Sequence, residues 1–251
     1  MKNNIIVGRP KDCKVVINNR NRLTTTKNMV DKLLELNADE QIIIIDNGST
    51  YPPLLEWYGK IIANPNVAVH FEKNEGHLAL WATQLDKQLG EYFVYTDSDI
   101  ILPNEFPKGW KLIMYHLIKW YGSYDKIALA LHIDDLPEHY RYKNQVKRNE
   151  ARWWLEKYDS EMFDYLYKAD TDTTFAMMRN FGDNCYKSLR ISKPNMMARH
   201  HGWYLDLDNL DEEERYYLEP GLKSTPTASL TVEKAEAVVL YFLSAAAYKK
   251  A

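Results

Sequence analysis

The chain has 251 residues, of which 45% are hydrophobic and 27% are charged, and its formal net charge is −3. This composition excludes a disordered chain, and the small negative charge gives no basis for nucleic-acid binding. The two cysteines, Cys13 and Cys185, are too few for a disulfide scaffold, and no apolar run has the length of a signal peptide or a membrane span, so we expect a cytoplasmic protein.

The first hundred residues alternate between strand and helix patterns. Short apolar runs rich in Val and Ile predict strands at 14–18, 41–45 and 67–71. Four consecutive isoleucines in the second run indicate burial on both faces, as in a parallel sheet. One helix is predicted from the N-cap candidates Thr24–Thr26 to about Leu36, and another from His77 to about Gln88. This alternation predicts an α/β fold with a mostly parallel central sheet flanked by helices.

A fourth predicted strand ends in two aspartates. The stretch 91–103, EYFVYTDSDIILP, begins with an apolar aromatic run and continues through Asp97 and Asp99. Residues i and i+2 of an extended chain point to the same side, so both carboxylates can face one ligand. Two crowded like charges are costly unless a cation binds them, which makes the pair a candidate metal site. A solvated acidic turn is the alternative, because so short a motif also occurs by chance.

The remainder of the chain has a looser pattern. Helices are predicted at 108–120, 144–158 and 211–217. Strands are predicted at 127–133 and 169–179, and an extended segment, RHHGWYL, at 199–205. These elements complete a single domain over residues 1–222.

A C-terminal extension at 223–251 follows that domain. It begins with a linker at 223–229 that is rich in Ser, Thr and Pro, and a helix with an apolar stripe is predicted at 232–248. The protein's own core is the first expected partner of that stripe. A second subunit in a homo-oligomer ranks second, and peripheral contact with a membrane ranks third, because the polar face carries few lysines.

Polar side chains follow each of the first four predicted strands. In chain order they are Asn18 and Arg20, Asp46, Asn74, and the pair Asp97 and Asp99. Open parallel sheets bind ligands beyond the carboxyl ends of their strands, so these side chains are expected to converge at one edge. Polar turns at strand ends are the alternative for each of them taken singly. The motifs GxGxxG and GxxxxGK[ST] are absent from the sequence, which excludes a classical dinucleotide fold and P-loop chemistry.

Four segments together resemble a known family. VVINNRNRLTTTKNMVDKL, IIIIDNGST, FEKNEGHLALW and YFVYTDSDIILP are similar to the nucleotide-binding half of a family-two glycosyltransferase with the GT-A fold and an Asp-x-Asp metal motif. The resemblance covers residues 13–105 and continues more weakly through an acceptor half at about 106–222. The chain has Leu80 and Trp81 where many relatives have an arginine, which leaves the contacts of that segment open.

The resemblance implies roles for the residues at the strand ends. It implies that the nucleotide contacts Asn18, Arg20, Asp46, Asn74 and Asp97. It further implies that Asp99 binds a divalent metal ion and that His200, from the C-terminal part, is a second ligand. Oxygen ligands and a diphosphate suit Mn²⁺ or Mg²⁺, and an imidazole ligand favours Mn²⁺. A histidine pair that lies at the surface or caps the core is the alternative for His200 and His201.

An inverting transfer also needs a carboxylate that takes the proton of the acceptor hydroxyl. Asp172, in the strand predicted at 169–179, is the preferred candidate. Asp170 lies on the same side of that strand, and the rival carboxylates are Asp134, Asp135, Glu150 and Asp183. A retaining mechanism would need no such base, and the sequence leaves it open.

The function implied by the resemblance is metal-dependent glycosyl transfer. The donor would be a UDP- or GDP-linked hexose or deoxyhexose, and the acceptor a hydroxyl of a glycan or another molecule. A metal-dependent phosphoesterase is a second candidate, although it would need more carboxylate and histidine ligands than these strand ends supply. A catalytically idle module that binds nucleotide sugars is the third.

Overall fold

A computed structural model describes residues 12–158, 163–171, 174–183 and 187–218. The strands are β1 Val15–Asn19, β2 Ile42–Asn47, β3 Val67–Glu72, β4 Tyr92–Asp97, β5 Ile100–Ile101, β6 Lys126–Leu131, β7 Leu166–Lys168, β8 Ala176–Arg179, β9 Ser188–Ile191 and β10 Met197–His200. The helices are α1 Thr24–Leu36, α2 Pro52–Ile61, α3 Ala79–Ala82, α4 Trp110–Trp120, α5 Lys143–Ala151 and α6 Glu212–Leu218.

All ten strands join one mixed sheet. Its main order is β3-β2-β1-β4-β8-β6-β10-β5, with β9 on β6 and β7 on β9. The first four strands in this order, β3, β2, β1 and β4, are parallel to one another. Strand β8 runs antiparallel to both of its neighbours, β4 and β6. The predicted α/β fold with a sheet flanked by helices is confirmed, and the insertion of β8 makes that sheet mixed.

Apolar residues cover both faces of the sheet. On one face Ile17 and Ile44 pack in a core that includes residues of α1, α2 and α4. On the other face Val16 and Ile45 pack with Leu80 of α3. Successive residues of a strand point to opposite faces, so these adjacent pairs show burial on both sides. The burial predicted from the isoleucine run is therefore present.

Several predicted elements have different bounds. The helix expected to reach Gln88 is split into α3 and two short 3-10 turns, because Gln84 adopts a left-handed backbone with φ of 60°. Helix α2 was not predicted, since its two initial prolines are typical of a turn but are also compatible with a first helical turn. Among the described residues of the strand expected at 169–179, Ala176–Arg179 form a strand, and the helix expected at 144–158 gives way to a 3-10 turn after Ala151.

Some predictions lie outside the described residues. They include the proposed base Asp172 and the linker and helix of the extension at 223–251. The homo-oligomer was expected to form through that helix, so it also stays a prediction. Within the described ranges, no helix is both long enough and apolar enough to cross a bilayer. The cytoplasmic location stays a prediction.

Candidate active site

The ends of β1 and β2 are joined through the loop that follows β3. The side-chain amides of Asn18 and Asn47 both donate to the Gly76 carbonyl oxygen, at 3.2 and 2.7 Å, and Asn47 Oδ1 accepts from the Glu75 amide at 2.6 Å. Gly76 itself has a φ of 72°, a backbone region that favours glycine. Asn18 is 9% exposed, and its Oδ1 has no hydrogen-bond partner. The ends of β1 and β2 and the loop after β3 therefore meet at one edge of the sheet.

Asp46, at the end of β2, is more buried than Asn18, with 2% of its surface exposed. Its Oδ1 accepts from the Ser49 amide at 3.0 Å, whereas its buried Oδ2 has no hydrogen-bond partner. The Tyr58 hydroxyl of α2 accepts from the Asn19 side chain at 2.7 Å. Burial, and next the charge of Asp46, raise the pKa of Tyr58, so the phenol stays protonated beside the carboxylate. A buried acceptor without a partner is suited to a ligand N–H or O–H.

Asn21 ties the loop after β1 to the loop after β2. It has a φ of 53°, and its Oδ1 accepts from the Thr50 and Tyr51 amides at 2.7 and 3.0 Å. The predicted nucleotide ligands Arg20 and Asn74 are exposed. Asn74 Oδ1 accepts from the Gly76 amide at 3.3 Å, so its side chain also shapes its own loop.

Asp99 and His200 are brought together by a short antiparallel pair of strands. β4 ends at Asp97, which is partly buried, and Ile100 of β5 pairs with His200 of β10. Asp99 Oδ2 lies 3.5 Å from His200 Nε2. Asp99 Oδ1 and His200 Nδ1 are buried and have no hydrogen-bond partner.

The imidazole of His200 is confined by its own loop. The ring stacks on Trp203, with centroids 5.0 Å apart and planes at 23°. A Cβ at Gly202 would lie 3.1 Å from His200 Cε1, so glycine leaves room for the ring. His201 begins a 3-10 turn and points elsewhere, as expected if only one of the two histidines faces Asp99.

This pair offers two side chains that could hold a divalent cation. A buried carboxylate oxygen without a partner and a neighbouring imidazole are ligand types found for Mn²⁺, and Mg²⁺ accepts the oxygen. Among the described residues, no group of three or more His, Cys, Asp or Glu side chains is arranged to hold a metal ion.

A buried ion pair beside this site was not predicted from the sequence. Arg22, after β1, pairs with Glu214 of α6, and their side chains are only 3% and 7% exposed. Glu214 Oε1 also lies 2.5 Å from His201 Nε2, and the Arg22 guanidinium stacks on the Tyr217 ring at 3.6 Å. Burial alone raises the pKa of Glu214, but the hydrogen bond with His201 and the charge of Arg22 lower it to about 2.

The neighbouring Glu213 caps α1. Its carboxylate accepts from the amides of Leu23 and Thr24 at 2.9 and 3.0 Å, and from Thr24 Oγ1 at 2.8 Å. The capping expected from Thr24–Thr26 is therefore wrong: Leu23 holds the cap position without a side-chain bond, and Glu213 binds the free amides. The acidic start of α6 looks like a solvated helix, and no local signal in the sequence shows these distant contacts.

The candidate bases differ in their surroundings. Asp135 accepts from the guanidinium of Arg199, with Nε at 2.7 Å, and from the Tyr204 hydroxyl at 2.5 Å. Glu150 pairs with the buried Arg190 at 2.9 Å. Further candidates, Asp134 and Asp183, are exposed and Asp170 is partly buried.

Strand β8, which follows Asp172 in the chain, lies beside β4 and runs antiparallel to it. Ala176, at the start of β8, pairs antiparallel with Tyr95 of β4. The end of β4 and the beginning of β8 therefore lie at the same edge of the sheet.

Comparisons with known proteins assign the chain to a family. The profile described as "Glycosyl transferase family 2" matches residues 14–184, which is more than half of the chain. No curated protein matches the chain. Among solved structures, it is similar to the mannosyltransferase PcManGT from Pyrobaculum calidifontis in complex with GDP-Man and Mn²⁺, with 15% identity and a TM-score of 0.44 over 96% of this chain and 76% of that chain.

It is also similar to GalNAc-T7 with UDP, GalNAc and Mn²⁺, with 15% identity and a TM-score of 0.46 over 75% of this chain and 42% of that chain. Both TM-scores lie below 0.5, so the assignment rests on the sequence match. Together with the mixed α/β sheet, that match confirms the expected GT-A fold class, and the chain belongs to glycosyl transferase family 2.

Proposed function

We propose that this glycosyltransferase is metal-dependent and moves a hexosyl or deoxyhexosyl group from a UDP- or GDP-linked sugar to a hydroxyl of a glycan or another acceptor, with inversion. The observation that carries the proposal is the pair of Asp99 and His200. A carboxylate and an imidazole lie 3.5 Å apart, and the second carboxylate oxygen is buried without a partner.

The proposed donor site extends from that pair along the strand ends. Asp99 and His200 hold Mn²⁺ or Mg²⁺, and Asp97 faces the ribose or a water beside them. A bound divalent ion supplies positive charge that offsets the charge of the departing nucleotide diphosphate. The nucleotide itself contacts Asn18, Arg20, Asp46 and Asn74. The unpartnered Oδ2 of Asp46 and Oδ1 of Asn18 support this role, because both are buried acceptors.

Asp172 remains the proposed base for the acceptor hydroxyl. Its support is the direction of β8, which starts four residues later beside the end of β4. Asp135 and Glu150 are weaker candidates, because each already accepts hydrogen bonds from an arginine and would lose that interaction on protonation.

Replacement of Asp99 tests the metal role. Calorimetric titration with UDP and with GDP, in the presence and absence of Mn²⁺, should show Mn²⁺-dependent binding to the original chain. Asp99→Asn should lose that dependence and all sugar transfer while unfolding at the same temperature. The matched control is Asp31→Asn, because Asp31 is exposed on α1 and pairs with Lys27 on the same helix. Full Mn²⁺-dependent binding by a folded Asp99→Asn protein would exclude the assignment.

Assays on the original chain distinguish a glycosyltransferase from the two alternative functions. Incubation with a panel of nucleotide sugars should reveal one donor that is slowly hydrolysed without an acceptor, which identifies the sugar and the nucleotide. Hydrolysis of simple phosphoesters would instead favour a phosphoesterase. Nucleotide binding with no turnover of any donor would favour an idle binding module.

A further inference from the structure

We propose that Glu214 is a positioning residue for the Asp99–His200 pair, an inference that rests on the metal-dependent function proposed above. Glu214 lies on α6, far in the sequence from Asp99 and outside strand β10, which carries His200. Its carboxylate joins Arg22, in the loop after β1, to His201, which directly follows His200 in the chain.

The first step is the link from Glu214 to the pair. Glu214 Oε1 lies 2.5 Å from His201 Nε2, and because this carboxyl has a pKa of about 2, the imidazole N–H donates to an ionised carboxylate. The His201 backbone amide donates to the Asp99 carbonyl oxygen at 2.8 Å. His201 is therefore held by its side chain on one side and bonded to the Asp99 backbone on the other. Its position sets where β10 ends relative to Asp99.

The second step is the anchor behind Glu214. Arg22 is 3% exposed, bonds to the same carboxylate oxygen, and stacks on Tyr217 of the same helix. The loop that carries Arg22 is fixed to β1 and α1, since the Arg22 carbonyl accepts from Asn19 Nδ2 at 3.0 Å and from Thr26 Oγ1 at 2.6 Å. Glu214 is consequently anchored to the sheet, and a displacement of His201 would have to break a buried charged contact.

The adjacent residue provides the matched control. Glu213 is also buried and also bonds to the segment after β1, but its contacts are with Leu23 and Thr24 at the start of α1. Loss of either carboxylate should destabilise the docking of α6. Only loss of Glu214 removes the contact with His201.

The test measures Mn²⁺ binding directly, without turnover. Free Mn²⁺ is quantified by its electron paramagnetic resonance signal during titration of each protein, in the presence of saturating UDP and, separately, GDP. Glu214→Gln should weaken Mn²⁺ binding by about tenfold or more, the usual effect of losing a group that orients a metal ligand. Glu213→Gln should bind Mn²⁺ like the original chain, although both variants melt at lower temperature.

A second variant covers the case in which Glu214→Gln does not fold. His201→Phe keeps the Arg22–Glu214 ion pair and the backbone amide of residue 201, and removes only the side-chain link. It should weaken Mn²⁺ binding by a similar factor. Unchanged Mn²⁺ affinity in His201→Phe, or equal affinities in Glu213→Gln and Glu214→Gln, would overturn the proposal. An original chain that binds no Mn²⁺ with either nucleotide would instead refute the proposed metal-dependent function.

Discussion

Glu214 should also make the stability of the protein sensitive to acid. Its pKa in the folded protein is about 2, against an ordinary value of 4.5, so between these values the unfolded chain binds more protons than the folded one. The stabilising contribution is therefore complete above about pH 4.5 and is lost as the pH falls towards 2. At about 1.4 kcal/mol per pKa unit, the contribution amounts to roughly 3 kcal/mol at neutral pH.

Glu214→Gln isolates this contribution, because glutamine has the shape of the protonated carboxyl. Urea unfolding of both proteins, followed at intervals from pH 7 to pH 3, should give a difference in unfolding free energy of roughly 3 kcal/mol at neutral pH, or somewhat more if Arg22 is left wholly uncompensated. The difference should shrink steadily below about pH 4.5. A difference that stays constant down to pH 3 would refute the assigned pKa, and no difference at any pH would refute the stabilising ion pair.

Two further substitutions test the donor site. Asp46→Ala should weaken the binding of the preferred nucleotide by about 1–3 kcal/mol, the scale of a hydrogen bond to a charged group, and calorimetry that finds unchanged affinity would reject the contact. Gly202→Ala should weaken Mn²⁺ binding several-fold, because the new methyl group would lie 3.1 Å from His200 Cε1 and displace the ring. Gly59→Ala is its control, since a Cβ at Gly59 meets nothing within 4 Å; equal Mn²⁺ affinities in the two alanine variants would show that the His200 ring is not confined.

The strands of the parallel part of the sheet could be predicted because their signal is local. The second predicted strand, 41–45, corresponds to β2 at Ile42–Asn47, and the third, 67–71, corresponds to β3 at Val67–Glu72. In β2 the run of branched side chains is buried on both faces, and such a run has few other stable arrangements. The approach of His200 to Asp99 was expected from the family resemblance, and the spacing of these residues in the sequence gave no independent indication of it.

The role of α6 could not be predicted, because it depends on distant partners. Glu213 and Glu214 lie in the run EEERYYL, whose charges are typical of a solvated helix. Their burial is stable only because the free amides of Leu23 and Thr24 and the guanidinium of Arg22 face them in the folded chain. The break at Gln84 was missed for a similar reason, since a left-handed glutamine inside a helical pattern has no sequence signature of its own.

The contacts of α6 also bear on the order in which the chain folds. Arg22 and Glu214 are separated by 192 residues, so their encounter requires closure of nearly the whole described chain. During synthesis Arg22 emerges long before its counter-charge, and burial of an unpaired guanidinium is unfavourable. Strands β1 to β4 and the local hydrogen bonds of the loop after β1 can form early, whereas the Arg22–Glu214 ion pair can form only when α6 docks. We therefore expect the link from Glu214 through His201 to the Asp99–His200 pair to form late, after the nucleotide-binding half of the sheet.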